Sequence, residues 1–223
     1  MSCFSMANGA LCAVVCDGAG SAEFGGEGAS IVARTISQAL RQHFHATSLL
    51  PGDEDIWTWL DAARDRVSLA AERRDKTRRS FASTLVMLAS IGDRVVTAHV
   101  GDGAVVARND AGWETLSAPE NGEFASSTYF VTDDPAPRLR VRRREGKWTA
   151  YAVFSDGIEQ VALDHQNDAP HAPFFNTMIE PLDRLSHPGK NGKLSDALAA
   201  FLSGSRICER TDDDKTLLLI SAS

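Results

Sequence analysis

Three short segments place aspartates at the ends of apolar runs: Asp17-Gly18-Ala19-Gly20 after Leu11–Cys16, Ser155-Asp156-Gly157 after Tyr151–Phe154, and Asp212-Asp213-Asp214-Lys215-Thr216 before Leu217–Ile220. Acidic groups at the ends of buried strands are costly unless something compensates them. If three or four carboxylates meet at roughly 4 Å, each pair repels by about 4 kcal/mol at an effective dielectric near 20. A divalent cation cancels that repulsion, and oxygen-only donors suit Mg²⁺ or Mn²⁺. The pattern therefore points to a hard-metal hydrolytic site. The chain offers no convincing Cys-His or Ser-His-Asp arrangement, so an enzyme-borne nucleophile is not expected.

Plainer readings stand beside this one. Asp17 could be a turn residue or helix cap, Asp156 the cap of a following helix, and the aspartates at 212–214 a solvated acidic turn whose register is open. Gly25, Gly26 and Gly28 could suggest a nucleotide loop, but GxGxxG is absent and an aspartate leads the turn. The alternating strand Arg138 to Arg144 places Arg138, Arg140 and Arg142 on one face, either gripping an acidic partner or simply solvated. The run Arg73 to Arg79 reads as a helix end and loop. His43 and His45 are two residues apart on a helix and diverge, so they are poor metal partners.

The remaining composition narrows the class. With 223 residues, 43% of them hydrophobic, the chain suits one domain spanning 1–223. No apolar stretch approaches the ~20 residues of a membrane span, and a signal-peptide pattern is lacking. A formal charge of −7 disfavours nucleic acid as a partner. Cys3, Cys12, Cys16 and Cys208 form no CxxC pair, which predicts buried free thiols in a reducing cytoplasm. Cytoplasmic location, with neither nucleic-acid nor membrane partner, is the expectation.

The elements that must position the aspartates follow from periodicity. Ala10–Cys16 reads as a strand and Gly28–Phe44 as an amphipathic helix. A second helix, capped by Asp53 or Asp55, carries the stripe Ile56, Leu60, Ala63, Val67 and Ala70. Strands are expected at Ser80–Ile91 and Arg94–Val100, joined by Gly92-Asp93, and at Ala104–Ala107 after the Asp102-Gly103 turn. Further strands are expected at Ser127–Val131, Leu139–Arg143 and Trp148–Phe154. Helices are expected near Phe174–Leu185 and Leu194–Leu202, before the last strand. Early and late helices around central antiparallel strands predict an α+β domain of sheets between helical layers. Met1 stands almost directly before the first core strand, with no element expected ahead of it, which suggests that some native N-terminal residues are missing.

With these segments placed, the chain resembles the metal-dependent protein phosphatase family, the type 2C serine/threonine phosphatases. The ordered motifs are VVCDGAGS, GGEGAS, FASTLVML, AHVGDGAVV, AVFSDGIEQ and DDDKTLLLI, from about residue 10 to residue 221. Each is weak alone; six in order are specific. NGEFASSTYFVTDD and HAPFF further resemble a bacterial subgroup. The resemblance implies a four-layer αββα sandwich: two antiparallel sheets flanked by helix pairs. It also implies metal-dependent hydrolysis of phosphoserine and phosphothreonine in proteins, with two Mg²⁺ or Mn²⁺ ions activating water. The carried-over ligands are the Asp17 carboxylate and Gly18 carbonyl, Asp156, and Asp213, with Asp102 at a third, weaker position. A phosphorylated protein is the implied substrate, and a cognate serine/threonine kinase a possible partner.

Two departures matter. Family members usually carry an acidic residue and a phosphate-binding arginine upstream of the first strand, for which this sequence has no room. Ala19 stands where many eukaryotic members have a histidine that could protonate the leaving group. A non-catalytic, phosphatase-like binding or regulatory domain with an incomplete metal site is therefore the alternative reading.

Overall fold

The computed structural model describes residues 2–5, 9–120, 128–164 and 168–222. The chain runs β1 (Ser2–Ser5), β2 (Leu11–Val15), α1 (Gly25–Ala46), α2 (Asp53–Glu72), β3 (Leu85–Ile91), β4 (Arg94–Val100), β5 (Ala104–Asn109) and β6 (Gly112–Ser117). Then come β7 (Arg140–Glu145), β8 (Ala150–Phe154), α3 (Glu159–Ala162), β9 (Leu163–Asp164), β10 (Ala169–Pro170), α4 (Ala172–Asp183), α5 (Gly192–Leu202), α6 (Ser205–Cys208) and β11 (Leu217–Ser221). One antiparallel sheet has the order β1-β2-β3-β4-β7 and the other β11-β8-β5-β6; β9 and β10 form a separate small ribbon.

Period-two alternation explains how the sheets stack. Cys12 and Val14 of β2, with Leu85 and Met87 of β3, face α1 and α2. Ala13, Val15, Val86 and Leu88 face the other way, meeting Val105, Tyr151 and Val153 of the second sheet. The outer face of that sheet, Ala152 and Phe154 included, packs on Phe175 of α4 and Leu202 of α5. The central strands are thus apolar on both faces, because each has a layer on either side. The α+β expectation of antiparallel sheets between helical layers holds.

Several boundaries move. α1 begins at Gly25, not Gly28. Gly28 lies against Phe81, where an added Cβ would come within 2.0 Å of the Phe81 carbonyl oxygen. The N-cap of α2 is Gly52, whose N–H donates to the Asp55 carboxylate at 2.8 Å, so Asp55 acts from inside the helix. Along α2 the buried stripe turns to Ala71 in place of Ala70 and includes Arg64. Arg64 donates to the carbonyls of Val131 (2.6 Å) and Asp133 (2.9 Å), fastening the segment ahead of β7 to the helix. Residues 78–81 form a 3₁₀ turn, so β3 starts at Leu85.

Residues 128–131 form no strand; Val131 donates its N–H to the Ser83 carbonyl instead (2.8 Å). Ser127 lies outside the described residues. An element does precede the first core strand, since β1 pairs antiparallel with β2. Cys12 and Cys16 are buried free thiols, but Cys208 is exposed, contrary to expectation. No helix among the described residues is long and apolar enough to cross a membrane.

Candidate metal centre

Strand pairing carries the aspartates to one end of the sandwich. β2 ends opposite the start of β3, with Val15 paired to Val86. Asp17 then continues the pairing beyond the strand: its N–H donates to Thr84 Oγ1 (3.0 Å) and its carbonyl accepts from Thr84 N–H (2.8 Å). In the other sheet Phe154 pairs with both Ala104 and Leu217. The residues just after β8, just before β5 and just before β11 are therefore neighbours, and they include Asp156, Asp102 and the aspartates at 212–214. The Ser155 hydroxyl accepts from Thr216 N–H (3.2 Å), tying the β8 end to the approach of β11.

Two glycines set the closeness. A Cβ at Gly18 would stand 2.3 Å from the Gly25 carbonyl carbon, and one at Gly157 would stand 2.1 Å from the Asp214 carbonyl oxygen. Backbone meets backbone at both places, so no larger residue fits without moving a strand end.

The carboxylates share one electrostatic field. Asp156 is pushed up to about 8, first by burial and then by the charges of Asp102, Asp213 and Asp17. Asp17 is raised by burial and by Asp213, although hydrogen bonds from Ser155 and Asp156 oppose the shift. Asp102 is raised mainly by burial. Asp17, Asp102 and Asp156 are half-buried, whereas Asp213 is exposed at the rim. Asp214 lines a cleft of about 510 Å³ with Asp17, Gly18, Ser30, Arg34 and Ser37.

Burial of Asp17, Asp102 and Asp156 beside one another and beside Asp213 is a charge problem that a hard divalent cation would relieve. The donor set, carboxylate oxygens plus the Gly18 carbonyl, has the right chemistry for Mg²⁺ or Mn²⁺. Among the described residues, however, no three His, Cys, Asp or Glu side chains are drawn close enough to enclose an ion. The centre is an open acidic basin rather than a closed cage. Cys16 also lines the cleft, but burial pushes its thiol up to about 12, so it is no nucleophile near neutral pH.

The arginine strand resolves differently from its alternatives. Glu120 lies between Arg138 Nε (2.7 Å) and Arg140 Nε (2.6 Å), the latter an ion contact rather than an aligned hydrogen bond. Arg138 also stacks on Tyr129, 4.8 Å from the ring centre. Arg140 Nη2 approaches His99 Nδ1 (3.1 Å), which must accept because a guanidinium only donates. Burial, then Arg140, lowers His99 to about 3, so the ring is neutral. Arg140 is a half-buried strut and Arg138 an exposed one, both committed to Glu120 and so not a free grip for an acidic partner. His43, read as a poor ligand, contacts the Leu49 carbonyl (2.9 Å) and the Trp59 ring.

Fold and site together define an αββα sandwich with an oxygen-rich acidic centre at one end. The chain belongs to the protein phosphatase 2C family, whose model matches residues 2–203. It is 34% identical over 210 residues to serine/threonine-protein phosphatase 3 of Escherichia coli strain K12, covering 94% of this chain and 83% of that protein. In fold it is similar to PppA, "a key regulatory component of T6SS in Pseudomonas aeruginosa" (TM-score 0.66, 19% identity, 98% of this chain and 88% of that one). It is also similar to the catalytic domain of the serine/threonine phosphatase PstP in complex with two manganese ions (TM-score 0.57, 14% identity, 98% and 88% coverage).

Proposed function

We propose that this chain hydrolyses phosphoserine and phosphothreonine in proteins, using Mg²⁺ or Mn²⁺ held by the acidic basin. The observation that carries this reading is the convergence of strand ends far apart in sequence, which brings Asp17, Asp102, Asp156 and the approach to β11 together at one end of the sandwich. Asp17, the Gly18 carbonyl, Asp156 and Asp213 are the residues that would hold two cations, with Asp102 placed for a third. When bound, such ions supply charge neutralisation for phosphoryl oxygens and a lowered pKa for attacking water.

The protein's own part is positional. Gly18 and Gly157 let the strand ends approach closely enough for the carboxylates to share one centre. The Ser155 hydroxyl holds Asp17 and at the same time accepts from Thr216, so the two sheets' contributions stay in register. The neutral Cys16 thiol leaves hydrolysis to water. A phosphorylated protein is the proposed substrate, and a serine/threonine kinase the proposed source of it.

The open form of the basin favours a second reading, a phosphatase-like binding domain. Calorimetric titration with Mn²⁺, run beside turnover of p-nitrophenyl phosphate and phosphothreonine peptides, separates the two. Turnover that needs the metal and vanishes in Asp156→Asn supports the enzyme; metal binding without turnover supports the domain. Full activity in Asp156→Asn refutes the site assignment.

A further inference from the structure

Helix α1 presents two adjacent lines of residues, spaced three or four apart, to two different depressions. Gly26, Ser30, Ala33 and Ser37 face the cleft that contains Asp17 and Asp214. Glu27, Ile31 and Thr35 face a groove of about 500 Å³ between α1 and α2. Arg34 lies on the boundary and lines both.

The groove has an apolar floor and a cationic wall. Leu69, which is 53% exposed, and Ala70 form part of the floor, while Arg66, Arg73 and Arg74 join Arg34 around it. Two of these cations are already committed. Arg74 pairs with Glu27 at 2.8 Å and lies over Phe24 and Phe81, and Arg66 donates to Thr35 Oγ1 at 3.3 Å. The side chains of Arg34 and Arg73 have no ion-pair or hydrogen-bond partner among the described residues. Both are exposed. On a chain of formal charge −7, two exposed and unpaired guanidinium groups flanking one groove are an attractive site for anions.

We propose that the α1–α2 groove binds acidic residues flanking the phosphorylated side chain, with Arg34 joining that contact to the phosphoryl cleft. This rests on the phosphatase reading for the cleft and adds the substrate class: phosphoproteins whose phosphosites carry neighbouring Asp or Glu. Guanidinium groups suit carboxylates because each presents paired N–H donors in a fork. Leu69 and Ala70 give the peptide's aliphatic stems a surface to cover.

The test is fluorescence anisotropy with a labelled phosphothreonine peptide flanked by glutamates, and its glutamine counterpart, on the full chain carrying Asp156→Asn. The glutamate peptide is expected to bind roughly 3- to 10-fold more tightly, as one or two exposed ion contacts allow. Raising the salt should erase the difference. Adding Arg73→Gln should abolish most of the preference while leaving the melting temperature and the binding of the glutamine peptide unchanged. Equal affinities for the two peptides, or a preference untouched by Arg73→Gln, overturn the proposal. Because anisotropy needs no turnover, absence of p-nitrophenyl phosphate hydrolysis by the unmutated chain would count against the enzyme reading alone.

Discussion

Two clusters of charge at different places in the fold are built on opposite plans. Around Glu120, the carboxylate meets two arginines within 2.7 Å, and Arg140 reaches on to His99 and the Ala118 carbonyl. Around Asp156, the charges of Asp102, Asp213 and Asp17 all raise its proton affinity, and no arginine or lysine side chain is paired with it among the described residues. The first cluster ties β4, β6 and β7 together; the second leaves a debt of negative charge unsettled. A fold that can pair its charges, and does so away from the cleft, leaves them unpaired where the proposed cations would do the pairing.

That contrast can be broken at either pole. The largest effect is expected at the acidic one. Asp156→Asn should lower metal-dependent turnover by more than about 100-fold, since several kcal/mol of charge stabilisation depend on such ligands. In metal-free buffer near neutral pH the same variant should melt at a higher temperature than the parent, because a neutral amide need not take up a proton to sit among the other carboxylates. A lower metal-free melting temperature would show that Asp156 is already compensated from within.

At the paired pole the signs reverse. Glu120→Ala leaves Arg140, largely withdrawn from water, without its partner and should cost about 2–3 kcal/mol in denaturant unfolding. The folded fraction should keep its turnover. A smaller third effect separates the clusters by pH. Asp156 is raised in the folded state, so the native chain keeps a proton that the unfolded chain releases near pH 4. Metal-free stability is then full below that range and falls as pH rises through about 8. Saturating Mn²⁺ should flatten this slope in thermal melts across the window; an unchanged slope would detach the titration from the metal. The smallest change is expected for Asp53→Ala, which removes an exposed contact to Arg143 at 2.7 Å and should cost under about 1 kcal/mol.

What could be read in the sequence follows from the same physics. Strands β2 and β8 are buried on both faces, so they appear as unbroken apolar runs, whereas β3 and β4 are interrupted by Ser90, Thr97 and His99 and the 3₁₀ turn before β3 hid its start. β6 reads Gly-Trp-Glu-Thr-Leu-Ser at the border of its sheet, and its polar half hid it. The start of α1 was misplaced because two consecutive glycines look like a turn, whereas here Gly25 lets the first turn of the helix pass close to Gly18 and Ala19. Asp17, Asp102 and Asp156 stood out because charge at a strand end is anomalous. Glu120 and Arg140 gave no such signal; their pairing joins a loop to a strand 20 positions away, and only tertiary structure brings them together. Arg34 was equally silent, since one more arginine on a helix surface looks like ordinary solvation.

Asp102 occupies the short link, Gly101-Asp102-Gly103, by which the backbone leaves β4 in one sheet and enters β5 in the other. Asp17 belongs to the first sheet and Asp156 to the second. Any sliding of one layer over its neighbour would therefore change the spacing among all three at once, making the acidic centre a gauge of how the two halves of the sandwich are seated.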